Sequence, residues 1–108
     1  METQKGNENR ENKMQELQML EQGLQNTLMQ KQAFQMELSE TQAALGELKN
    51  SGDEVFKIIG QLMIKSEKSK ITSDLENKEK ILNLRISTIE KQENSLTEKF
   101  EGLRKEIL

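Results

Sequence analysis

The chain has 108 residues, 32% apolar and 32% charged, with three Phe, no Trp, Tyr, Pro, His or Cys, and a formal net charge of −3. That is the length of one domain without the composition of a globular core, a mixture lying between a coiled coil and a disordered chain. Without His or Cys, disulfides, thiolate nucleophiles, zinc clusters and the usual catalytic triads are excluded; Glu and Lys are interspersed rather than clustered, so no basic patch tracks phosphates and nucleic acid is not an expected partner.

Residues 1–13 are almost entirely polar and include Gly6. They read as a disordered or frayed tail, with 14–108 as the folded domain. Met1-Glu2-Thr3-Gln4 lacks the basic start and apolar core of a signal peptide. No stretch approaches the roughly 18 apolar residues of a membrane span. The expectation is a cytoplasmic protein without a membrane partner.

A heptad emerges at Met14, and the spacing predicts a helix over about 11–49. With Leu17 at d, Leu24, Leu38 and Leu45 also fall at d, and Met14 and Leu28 fall at a. Lys31 then lies at d, and Glu21, Gln35 and Gln42 at a; such polar positions cost stability but can fix register. Leu20 falls at g and Met19 at f, so both are expected to be partly exposed, as are Met29 and Met36 at b. Gly52, just past the periodic stretch in Asn50-Ser51-Gly52-Asp53, is a helix-stop signal.

Val55-Phe56-Lys57-Ile58-Ile59-Gly60-Gln61-Leu62-Met63-Ile64 is the densest apolar run in the chain. It reads as a β-hairpin over about 54–66, turning at Gly60-Gln61, where a Gly at the first central position suits a type II′ turn. Lys57 should point to solvent or to the rim of an assembly. Two-stranded ribbons are marginal alone, and the flanking helices offer too little surface to bury apolar residues on both faces. Val55, Phe56, Ile58, Ile59, Gly60, Leu62, Met63 and Ile64 are therefore the expected subunit-assembly residues.

The second helix is expected over about 70–107, starting between Ser69 and Ser73, where Ser73-Asp74-Leu75-Glu76 matches a capping box. Leu75, Leu82, Ile89, Leu96 and Leu103 occupy d, with Ile86, Phe100 and Ile107 at a and only Glu79 and Glu93 interrupting. Five d positions in sequence are a specific coiled-coil signal. Exposed Glu side chains are expected in i,i+4 pairs such as Glu76–Lys80 and Glu101–Lys105 rather than in catalysis.

Two such helices joined by a hairpin must run antiparallel, roughly 50–60 Å long at 1.5 Å per residue. The fold class is thus mostly α: a long antiparallel two-helix coiled coil joined by a single β-hairpin that is expected to join hairpins of other subunits. Near the termini, Met14, Leu17, Met19, Leu20 and Leu24 face Phe100, Leu103, Ile107 and Leu108. Methionine is flexible and suits varied apolar contact, so this end could hold unfolded chains.

The order of long helix, apolar hairpin and long helix resembles the β-type subunits of archaeal prefoldin. The likeness is carried by Val55 to Lys65, by Gln30-Lys31-Gln32 and Glu37-Leu38, and by Leu84-Arg85-Ile86 with Glu90-Lys91-Gln92-Glu93. A single hairpin assigns the chain to the β-type, because α-type subunits carry two. The resemblance implies a hexamer of two α-type and four β-type subunits, in which hairpins build a double β-barrel and six coiled coils hang from it. It implies ATP-independent capture of non-native client proteins and delivery to a group II chaperonin, with no cofactor, no metal and no catalytic residue. Client-binding positions would be Met14, Leu17, Met19, Leu20, Phe100, Leu103, Ile107 and Leu108, and chaperonin contact would fall around Glu101 to Leu108. Two other readings stay open: a structural coiled-coil adaptor for one folded partner, and a prefoldin-like subunit forming filaments from one chain type.

Overall fold

The computed structural model describes the backbone of residues 2–108 and the side chains of residues 8–108. Four elements follow one another: α1 (Glu2–Asn50), β1 (Glu54–Ile59), β2 (Leu62–Glu67) and α2 (Lys68–Ile107). Residue 1 of the expected tail lies outside the described residues, as do the side chains of 2–5 and 7. Its described backbone continues α1 back to Glu2 instead of starting near residue 11. Extending a helix adds one hydrogen bond per residue ordered, and no Pro interrupts this one.

α1 ends where expected but by a different device. The N–H and the hydroxyl of Ser51 both donate to Leu48 O, at 3.3 and 3.0 Å. Gly52 does not take a left-handed conformation; among the described residues only Gly60 has positive φ. α2 begins directly after β2, so the capping box at Ser73 goes unused and Ser73 lies inside the helix. Thr72 instead donates its hydroxyl to Lys68 O at 2.8 Å, one turn back.

The seam of α2 is the expected one. Leu82 and Ile89 are buried, and Leu75, Glu79, Ile86, Glu93, Leu96, Phe100, Leu103 and Ile107 are half-buried. Leu82 is only 1% exposed, burial that contributes about 2–3 kcal/mol. The seam of α1 differs from expectation in one of its two rows. Leu17, Leu24, Lys31, Leu38 and Leu45 do face inward, but they alternate with Leu20, Thr27, Phe34, Thr41 and Leu48. Met14, Glu21, Leu28, Gln35 and Gln42, the expected a row, are exposed.

The reason is that threonine can be buried in a helix at little cost. Thr27 and Thr41 donate their hydroxyls to the carbonyls of Gly23 and Glu37, both at 2.8 Å, which satisfies the polar atom and leaves a methyl for packing. From Leu20 to Leu48 the row they belong to holds no charge or amide, whereas the rejected row would have placed one Glu and two Gln against Leu and Ile.

The chain forms two compact units, residues 1–32 with 87–108 and residues 33–86. In the first, Lys13 Nζ lies 3.3 Å from Glu106 Oε2, Gly23 lies opposite Leu96, and Lys31 Nζ lies 3.5 Å from Glu93 Oε1. In the second, the Arg85 guanidinium lies 5.7 Å from the Phe34 ring centroid, Lys78 pairs with Glu37 at 3.0 Å, and Lys68 reaches Ser51. In both, residue numbers rise on α1 as they fall on α2, so the helical segments of each unit are antiparallel. On the surface of α2, Glu101 pairs with Arg104 at 3.9 Å, one residue short of the Lys105 expected.

Candidate assembly hairpin and client-binding end

β1 and β2 pair antiparallel from Glu54↔Glu67 to Ile59↔Leu62, leaving Gly60-Gln61 as a two-residue turn. Gly60 has φ 59° and Gln61 has a negative φ. A positive φ at the first central position alone is the signature of the type II′ turn expected from the sequence.

The register sorts the side chains into two faces. One carries Val55, Lys57, Ile59, Leu62, Ile64 and Ser66; the other carries Glu54, Phe56, Ile58, Met63, Lys65 and Glu67. Phe56, Ile58, Ile59, Leu62, Met63 and Ile64 are all exposed, with Ile58 at 70% and Met63 at 67%. Val55 is the exception among the expected assembly residues: it is buried in the chain's own core and supports the hairpin from below. Lys57 faces solvent, as expected. On the face opposite Lys57, Lys65 Nζ sits 3.6 Å from Glu54 Oε1.

Phe56, Ile58 and Met63 continue into an open groove with Ala44, Leu48, Ile71 and Leu75 from the adjoining helix segments. Both strands are edges, since the sheet has only two. Exposed apolar edge strands are templates for pairing with another chain, and apolar side chains on two exposed faces reinforce that tendency.

At the base of the hairpin, Lys68 Nζ donates a hydrogen bond of 2.8 Å to Ser51 O. The bond joins the residue after α1 to the first residue of α2. The heptad puts Lys68 at d, one repeat before Leu75, but spacing does not reveal its bond to Ser51, because that role depends on where β2 ends.

The expected client-binding residues fall within the first unit and divide into two groups. Leu17, Leu20, Phe100, Leu103 and Ile107 are half-buried in the seam. Met14, Met19 and Leu108 are exposed, Met19 at 73% and Leu108 at 90%. Leu20 and Leu103 share an open groove with Asn9, Asn12, Lys13 and Glu106. Leu20, placed at an exposed g position by the leucine-based frame, is thus a seam residue. Phe34, Thr27 and Thr41 were missed for the same reason, although their spacing of seven from Leu20 could have found them.

Among the described residues no group of three or more acidic side chains is arranged to hold a metal. Nor, among those residues, is any helix long and apolar enough to cross a membrane.

The fold and its exposed hairpin define an assembling protein, in which paired antiparallel helical segments carry a two-stranded adhesive head. The prefoldin subunit family matches residues 11–108. The prefoldin subunit beta of Thermococcus kodakarensis is 36% identical over 94 residues, covering 85% of this chain and 80% of that one. The prefoldin subunit beta of Methanosarcina acetivorans is 34% identical over 99 residues, covering 90% and 85%. The crystal structure of the prefoldin beta subunit from Thermococcus strain KS-1 superposes with a TM-score of 0.83 at 34% identity, over 92% of this chain and 89% of that chain. The chain belongs to the prefoldin family of chaperone subunits, among the β-type, and assembles with other prefoldin subunits.

Proposed function

We propose that this chain is the β-type subunit of a cytoplasmic, ATP-independent holdase. Four copies join two α-type subunits through their hairpins, which close into a β-barrel platform. Non-native proteins are captured by the end formed by Met14, Leu17, Met19, Leu20, Phe100, Leu103, Ile107 and Leu108, and are passed to a group II chaperonin that docks around residues 101–108.

The observation that carries the reading is the hairpin. Six large apolar side chains stand exposed on its two faces, and full burial of each would contribute about 1.5–3 kcal/mol. Family membership supplies the kind of partner that buries them. At the capture end, individual apolar contacts are weak, but several linked ends raise the effective concentration of binding surface around one client. Weak single contacts also let a client leave without nucleotide hydrolysis, once a chaperonin competes for it.

Native mass spectrometry of the chain with an α-type subunit tests the assembly, and a complex of four copies with two partners is the expected result. A stable homodimer that ignores the partner would identify a structural coiled coil, and open-ended oligomers of this chain alone would identify a filament. In the intact hexamer, Met19→Ser with Leu108→Ser should weaken suppression of aggregation of an unrelated denatured protein. Unchanged suppression would remove these two residues from the capture site.

A further inference from the structure

The hairpin is tied to its two helices unequally. β2 ends at Glu67 and α2 begins at Lys68, with no residue between, so covalent continuity sets the hairpin's direction relative to α2. α1 and β1 are separated by Ser51, Gly52 and Asp53, and Gly52 and Asp53 are exposed. A linker of this kind leaves the hairpin free to swing relative to α1 unless something else holds it.

Buried Val55 seats the start of β1, and Lys68 adds a directed hold on the junction itself. Its side chain is half-buried, and its ammonium donates a 2.8 Å hydrogen bond to Ser51 O. Ser51 is itself anchored, its N–H and hydroxyl both bound to Leu48 O in the last turn of α1. The bond therefore closes the segment 51–68 into a ring with the hairpin as its free end. Glu76 and Glu79 line the same groove as Lys68, yet the ammonium binds the carbonyl. A charged donor on a neutral carbonyl at a chain junction has geometric value: it is stronger than a neutral hydrogen bond and points in one direction.

We infer that Lys68 is a positioning residue for assembly, which clasps the end of α1 to the start of α2 and so sets the direction in which the hairpin presents its apolar faces to a partner subunit. The inference rests on the assembly reading above. The gain from the clasp is pre-organisation: a hairpin that swings must be ordered again each time it docks, and that cost appears as weaker association.

The chain contains no Cys, so Gln42→Cys with Gln61→Cys places one spin label on α1 and one at the hairpin turn without background. Distance distributions are measured on the full chain carrying native Lys68, Lys68→Met or Lys68→Arg. Assembly of the unlabelled chains with the α-type partner is titrated in parallel. Methionine keeps the packing stem and removes the donor; arginine keeps a charged donor. The expected result is a broadened distribution and about tenfold weaker assembly for Lys68→Met, unchanged helicity by circular dichroism, and return of both readouts towards the native values with Lys68→Arg. A narrow distribution in Lys68→Met, native-strength assembly by that variant, or a loss that arginine does not relieve would each overturn the inference. If the native chain fails to assemble with the partner, the assembly reading falls, whereas the spin-label distances still report whether Lys68 holds the hairpin.

Discussion

Lys31 on α1 and Glu93 on α2 meet in the seam, Nζ to Oε1 at 3.5 Å, with Glu90 Oε1 3.9 Å from the same ammonium. Both residues occupy positions where Leu or Ile would pack better, and each stands in a row that is otherwise apolar or Thr in its neighbouring layers. Lys31 retains 21% and Glu93 27% of side-chain exposure, so water screens the pair and its net contribution is small. Its effect is on register, because a slipped pairing would set either charge against Leu or Phe.

Reversing one charge should therefore cost more than deleting it. Lys31→Glu is expected to destabilise by about 1 kcal/mol, and Lys31→Glu with Glu93→Lys should recover most of that loss. Denaturant unfolding at low and high salt checks both, with the recovery shrinking as salt rises. A double variant no more stable than Lys31→Glu alone would deny the pair any role in register.

The seam frame can be tested by placing the same charge at a chosen and a rejected position. Leu28→Glu, on the exposed row, should change stability by no more than about 0.5 kcal/mol. Thr41→Glu, at a site 3% exposed, should cost about 2 kcal/mol or more through an unpaired buried carboxylate. Thermal unfolding of the two variants gives the order directly, and a leucine-based frame gives the reverse order. Thr41→Val should be close to neutral, since the lost hydroxyl bond leaves Glu37 O with its helical partner.

The apolar centre of the seam should dominate stability. Leu82→Ala removes a fully buried side chain and is expected to cost about 2–5 kcal/mol. Met36→Ala, at 67% exposure, should stay within about 0.5 kcal/mol. Chemical unfolding monitored by helicity distinguishes them, and comparable losses would mean that Met36 is covered in solution.

Among the described residues, Gly60 is the one position where a positive φ restricts the residue. At φ 59°, Gly60→Val should cost about 1–2 kcal/mol in hairpin stability, and Gly60→Asn less, because Asn tolerates positive φ. Space is not the obstacle, since no atom beyond Gly60 and its two chain neighbours lies within 4 Å of where a Cβ would sit. Amide exchange across residues 54–67 measures the loss.

The side chains of residues 8–12 are all exposed, and among the described residues Lys13 is the first to form an ion pair with α2. Amides of residues 8–12 should exchange orders of magnitude faster than those around Leu24, fraying as a helix end with exposed side chains. Uniform protection along α1 would show that this segment is held by something besides its own helix.

Most of the architecture is legible in the residues because it is local. Absence of Pro, the five leucine and isoleucine positions from Leu75 to Leu103, and Gly60-Gln61 between apolar runs specify a helix, a tight turn and a second helix through spacing and backbone preference alone. The unburied hairpin is legible too, since a 108-residue chain of this composition has nothing with which to cover both faces. What spacing could not supply was the choice between two leucine-compatible frames on α1, for a heptad fixes one row and leaves its partner row ambiguous by one residue. That choice was made by α2, whose Leu and Ile surface favours Thr27, Phe34 and Thr41 over Glu21, Gln35 and Gln42. The inward turn of Val55 and the reach of Lys68 to Ser51 were likewise decided by tertiary structure. Both depend on where one element stops and the next begins, a matter of packing between segments distant in sequence that no periodicity encodes.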